Sequence, residues 1–179
     1  SLMRVIHKSG DDVSVIGGPP FGTKKIWTKM VPYLNKIPQI SFKTNNPIVH
    51  STAFFSTGLG KELQNRYKKN NMEIINFHWL GDITISLNEI RKLKQIKVWT
   101  LHDQWAFLGS EHYENIYVNQ FHGLKKRYIE GYQKNNRPDY ESGIDLNRFV
   151  WKLKKNVFNS SNIICNSNWL ADCAKKSFL

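Results

Sequence analysis

Ile96-Lys-Val-Trp-Thr-Leu-His-Asp-Gln-Trp-Ala-Phe-Leu-Gly-Ser-Glu-His-Tyr113 is the stretch on which the fold turns. Its opening alternates, with Ile96, Val98 and Thr100 on one side and Trp99 and Leu101 on the other, and the β-branched and aromatic content favours a strand. Both sides are mostly apolar, which predicts a strand in the middle of a sheet, covered on both faces. The apolar run stops at His102-Asp103. Ionisable side chains at the end of a buried strand are costly unless they are paired, hydrogen-bonded or open to a cleft. In open α/β sheets, ligands sit beyond the carboxyl ends of the strands. The chemistry is therefore expected at His102 and Asp103.

Working outward, Ile74-Ile-Asn-Phe77 reads as a second strand, ending in His78-Trp79. Between the two, Ser86 and Glu89 form a capping-box pattern that opens a short helix with Leu87, Ile90 and Leu93 inward and Arg91, Lys92 and Lys94 outward. Toward the N-terminus, Val13-Ser-Val-Ile16 reads as a short strand running into the turn Gly17-Gly-Pro-Pro-Phe-Gly22. Pro32 and Pro38 interrupt Ile26 to Ile40, so irregular structure with at most short helices is expected there. A helix is expected near Lys61 to Asn70, with Leu63 and Tyr67 on one face. Downstream of the central stretch, residues 114–143 form a polar insertion, either a functional loop or a mobile one. Asp145 then caps a helix through about Val157 that buries Phe149, Val150, Leu153 and Val157. Ile163-Ile-Cys165 is the next strand, and Ser167 caps a helix over Trp169 to Phe178. Strands alternating with helices predict an α/β fold, a Rossmann-like parallel sheet with helices on both faces.

The chain has 179 residues, enough for one well-packed domain, and a formal net charge of +12. An anionic partner suits that charge, as does a plain solvated basic surface. Cys165 and Cys173 make no disulfide framework, so two buried thiols in a reducing compartment are expected. No apolar run approaches the roughly 20 residues that span a bilayer, and no signal-peptide core is present, which reads as cytoplasmic.

Parallel strands would bring Gly17, Gly18, His78, Trp79, His102, Asp103, Ser167 and Asn168 to one end of the sheet. His102 and Asp103 are the candidate catalytic residues, and Asp103 also fits a turn or helix cap. Gly17, Gly18, His78, Trp79, Trp105, His112, Ser167 and Asn168 are candidate substrate-binding residues. The tryptophans suit stacking on sugar or base, and equally a core. The spacing of His102, Asp103 and His112 fits no standard zinc pattern, so no metal is expected. Dinucleotide and P-loop glycine motifs are missing, and Ser167 sits in no nucleophile elbow.

His78-Trp79, the run Trp99-Thr-Leu-His-Asp-Gln-Trp-Ala-Phe107 with Gly109 and His112-Tyr113, and Asn166-Ser-Asn-Trp-Leu-Ala-Asp-Cys-Ala-Lys-Lys-Ser177 come in an order that resembles the N-terminal half of family 4 retaining glycosyltransferases. The resemblance is to a bacterial subgroup that builds surface polysaccharides such as lipopolysaccharide or capsule. It implies one half of a GT-B architecture, two Rossmann-like domains facing a cleft, of which residues 1–179 would be the acceptor-side domain. It also implies a nucleotide-sugar co-substrate, a saccharide or lipid-linked acceptor, and no metal or other cofactor. A histidine at the position of His102 would face the cleft near the transferred sugar, with Asp103 beside it. Relatives often carry a cysteine just before the His-Tyr pair and more beyond it, whereas this chain has Glu111 there and no cysteine between residues 114 and 143.

On this reading the chain is an excerpt, lacking a first strand with its glycine loop and a donor-binding domain, and inactive alone. Its basic clusters would suit a lipid pyrophosphate or peripheral contact with an anionic inner-membrane leaflet. The alternative is a non-catalytic basic module that binds polysaccharide or nucleic acid; no nucleic-acid fold signature is present, and nucleic acid is not the expected partner. A hydrolase using His102 and Asp103 lacks a recognisable nucleophile.

Overall fold

A computed structural model describes residues 25–44, 50–56, 58–70, 73–80, 84–114, 127–158 and 161–178. The expected strand at residues 13–16 and the candidates Gly17 and Gly18 lie outside them. Helix α1 (Lys25–Ile40) leads into β1 (Phe42–Thr44), followed by α2 (Leu59–Asn70), β2 (Ile74–His78), α3 (Leu87–Lys92) and β3 (Ile96–Leu101). Then come α4 (Arg127–Glu130), β4 (Glu141–Gly143), α5 (Leu146–Phe158), β5 (Asn162–Cys165) and α6 (Asn168–Lys175). β2, β3 and β5 form a parallel sheet in that order, with β3 central. β1 and β4 make a separate antiparallel pair, invisible in so short a pair of segments.

The mixed α/β class and the parallel three-stranded sheet flanked by helices are as expected. The burial of β3 on both faces is not. Phe77, Trp99 and Leu101 are buried on one side, where Trp99 stacks 4.6 Å from Phe77 and lies 4.2 Å from Phe158. Ile74, Ile96 and Ile164 on the other side remain exposed, and Val98 and Thr100 are only partly covered. Period-two alternation gives this outer face its polar members as well, and Thr100 Oγ1 donates to Asn76 Oδ1 at 3.0 Å there. A face with internal polar pairing tolerates water.

The segment containing both prolines is one helix of 16 residues, not irregular chain. Tertiary anchorage offsets the ladder bonds that Pro32 and Pro38 cannot donate. Val31 and Asn35, one turn apart, are fully buried. Asn35 Oδ1 accepts from the backbone N–H groups of Phe54 (3.0 Å) and Phe55 (2.9 Å), and its amide donates to Phe55 O at 3.0 Å.

The Ser86–Glu89 capping box is formed, with Leu87, Ile90 and Leu93 buried. α2 starts two residues earlier than expected; Leu63 is buried but Tyr67 is exposed. In α5, Asp145 Oδ1 accepts from Arg148 N at 3.1 Å, fulfilling the expected cap. Its buried stripe is Leu146, Val150, Lys154 and Val157, so Phe149 points outward, contrary to expectation. A lysine at the centre of an apolar stripe disguised the true face. Cys173 is buried and Cys165 half-buried; both are free.

Residues 127–143 of the polar insertion contribute to the core. Arg127 Nη1 donates to both carboxylate oxygens of Glu141, at 3.2 and 3.1 Å, and its guanidinium lies 4.1 Å from the Tyr132 ring centroid. Asn147 on α5 donates to Glu141 Oε1 at 2.8 Å, and burial lifts the Glu141 carboxyl above its ordinary range against the pull of Arg127. Tyr132 OH donates to Glu111 Oε1 at 2.5 Å. Glu111 thus joins an ion and hydrogen-bond network at the position where the resembled family often has cysteine.

Candidate functional site

β2 and β3 run parallel with His78 opposite Thr100, so His102, two residues further on, overhangs the same sheet end. His78 Nδ1 and His102 Nε2 lie 3.1 Å apart, with one nitrogen donating and the other accepting. Both rings are exposed. Beside them is a small cleft of about 20 Å³ whose lining includes Trp79, Leu80, His102, Asp103, Trp105 and His112. Trp79 is 58% exposed and offers an indole face to anything entering the cleft.

Asp103 turns inward. Its Oδ1 accepts from Trp105 N at 2.9 Å, closing a turn, and its Oδ2 accepts from His112 Nδ1 at 2.6 Å. A carboxylate oxygen of this kind only accepts, so Nδ1 carries the proton, and Nε2 shares a hydrogen bond with Ser51 Oγ at 2.8 Å. Ser51, His112 and Asp103 therefore stand in the hydrogen-bond order of a Ser-His-Asp triad. All three are buried, however, and Ser51 is not among the residues lining the cleft. The arrangement works as a tether: it ties the segment after His50 to the loop that carries His102. Both ring nitrogens of His112 are engaged by the protein, leaving only its ring face toward Trp79, 5.8 Å away.

Trp105 is a buried pillar. Its Nε1 donates to Ser51 O at 2.9 Å, and its ring lies 3.6 Å from Lys154 Nζ. Lys154, fully buried, donates to the backbone carbonyls of Trp105, of Leu108 (3.4 Å) and of Gly109 (2.5 Å). Burial holds its amine well below the ordinary lysine range, against the pull of Glu111 and Asp103. Ser110 N and Oγ donate to Asn147 Oδ1 at 3.0 and 2.5 Å. Gly109 is needed because a Cβ there would meet Asn147 Cα at 2.7 Å. The loop from Asp103 to His112 is thus pinned along its length, and His102 projects from its start.

Of the sequence candidates, the structure gathers Trp79, His102, Asp103, Trp105 and His112 around one cleft, with His78 against His102. Ser167 and Asn168 follow β5, on the other side of β3; Ser167 accepts from Leu170 N at 3.2 Å as the expected N-cap, and neither lines the cleft. Sequence reasoning missed Ser51 and Lys154, which act across 61 and up to 49 residues of chain. Among the described residues no group of three or more His, Cys, Asp or Glu could hold a metal ion. No family model, curated protein or solved structure matches the chain.

Proposed function

We propose that this chain is the acceptor-side domain of a retaining glycosyltransferase that moves a sugar from a nucleotide-sugar to a saccharide or lipid-linked acceptor in bacterial surface-polysaccharide synthesis. The observation that carries the reading is the histidine pair, His78 Nδ1 to His102 Nε2 at 3.1 Å, at the carboxyl ends of adjacent parallel strands beside a tryptophan-walled cleft. In such a transfer the bond from the anomeric carbon to the leaving phosphate breaks, and a bond to an acceptor hydroxyl oxygen forms on the same face. The hydroxyl proton passes to the departing phosphate. Charge develops on that phosphate, and fixed donors aimed at it accelerate the step. His102 would hydrogen-bond the transferred sugar or its phosphate, His78 would fix the His102 ring, and the exposed face of Trp79 would stack on a sugar ring. Asp103 acts through the loop rather than on substrate. The rest of the donor site belongs to a second domain, as the resemblance implies, and the nucleotide-sugar is a co-substrate, so no cofactor or metal is called for.

The test is nucleotide release from a panel of nucleotide-sugars by the full-length natural gene product and by its His102→Ala variant. Turnover should fall about a hundredfold or more, the usual cost of removing one such donor. The melting temperature should not move, because the ring is exposed. Unchanged turnover would sink the role given to His102. Polysaccharide retention with no turnover on any donor would favour the binding-module reading, for which the indole faces of Trp79 and Trp169 are the supporting observation.

A further inference from the structure

α1 has two faces. Val31 and Asn35 attach one of them to the body of the domain. The opposite face carries Ile26, Met30, Tyr33, Ile37 and Ile40, spaced alternately four and three residues apart. At 3.6 residues per turn these five fall within about 80° of arc. All are exposed, Ile26 and Tyr33 at 73% and Ile40 at 76%. Isolated apolar side chains at a surface are ordinary, but an unbroken stripe along a whole helix marks a contact surface.

We propose that this stripe is a membrane-docking surface, seated in the interface of an anionic bilayer. Charge argues for that occupant. Lys29 and Lys36 are exposed along one edge of the stripe. From Asp12 to Glu62 the intervening chain holds six lysines and no acidic residue. Apolar stripe, basic edge and an indole at the border (Trp27, whose Nε1 donates to Ser56 O at 2.9 Å) are the pattern of a helix lying in the headgroup region. The helix does not span. Its 16 residues rise about 24 Å, less than the roughly 30 Å hydrocarbon layer, and no described helix is long and apolar enough to cross a membrane. A second copy fits less well. The four-three spacing puts both lysines at the flanking positions of a helix pair, opposite Trp27 and Leu34, with no carboxylate to meet them.

The argument stands apart from the transferase reading, and its test involves no sugar. The chain is floated with vesicles of phosphatidylcholine mixed with phosphatidylglycerol, and with phosphatidylcholine alone. It should float with the mixed vesicles, far less with the neutral ones, and less as salt is raised. Ile37→Ser and Ile40→Ser should each weaken binding about tenfold, and Lys29→Gln or Lys36→Gln about fivefold. These side chains lie away from Val31 and Asn35, so circular dichroism and melting should match the wild type. Three results overturn the proposal: no flotation with the mixed vesicles, flotation unaffected by Ile37→Ser, or a solution dimer that Ile37→Ser dissociates.

Discussion

Replacing Lys154 by methionine tests the account of the loop that carries His102. The substitution keeps the length and packing of the stem and removes the donor. Three backbone carbonyls, those of Trp105, Leu108 and Gly109, then lose their hydrogen bonds in a buried place. Each costs about 1–3 kcal/mol when left unsatisfied. The relief of no longer burying an amine recovers part of this, leaving a net loss of about 3 kcal/mol. For a chain of this length that corresponds to a fall in melting temperature of about 6–12 °C. The control is Lys155→Met, an exposed neighbour, with an expected change within about 0.5 kcal/mol. pH supplies a second readout. Burial depresses the folded-state pKa of Lys154 below the unfolded value of about 10.4. A contribution of that sign is complete above the unfolded value and is lost as pH falls through the depressed folded one. The stability gap between wild type and Lys154→Met should therefore widen as pH rises toward 10. The assay is thermal and urea unfolding followed by circular dichroism across that range. Equal melting temperatures, or a gap independent of pH, would refute the reasoning.

Two further outcomes follow from the same physics. Asn35→Ala should cost about 1–3 kcal/mol in urea unfolding, since it removes a buried side chain that bonds two part-buried N–H groups and a carbonyl at Phe54 and Phe55. Burial, with Glu141 and Glu111 nearby, pushes the Tyr140 hydroxyl up to about 12. Its contribution is thus intact below the unfolded value of about 10 and is lost as pH rises through about 12. Ultraviolet difference titration of wild type against Tyr140→Phe should show the missing ionisation near 12; a loss near 10 would contradict the burial argument.

The sheet and its chemically loaded end were legible because they are written locally. An apolar run that stops at His102, and another that stops at His78, mark strand ends without knowledge of the rest. The Ser86–Glu89 box and the Asp145 and Ser167 caps were equally local. What escaped depends on partners distant in sequence. Nothing near Ser51 announces that its hydroxyl meets His112, and Lys154 looks like any surface lysine until its three carbonyls are found. The prolines of α1 argued against a helix that Asn35 secures from outside. The polar insertion was read as a functional or mobile loop, yet Arg127 and Glu141 neutralise one another within the core. Phe149 was assigned inward on hydrophobicity alone, and the lysine that displaced it violated that rule.

The tether running through Asn35, the segment 51–55, His112 and Asp103 makes α1 and the cleft parts of one rigid frame. Its geometric consequence is a fixed offset between the outer stripe of α1 and the histidine pair. A body fastened along that stripe has few orientations left, and each holds the cleft at one height and one tilt above whatever lies beneath. Reach then becomes a selection rule: a group to be bound must stand off the surface by a set distance, whatever its chemical identity.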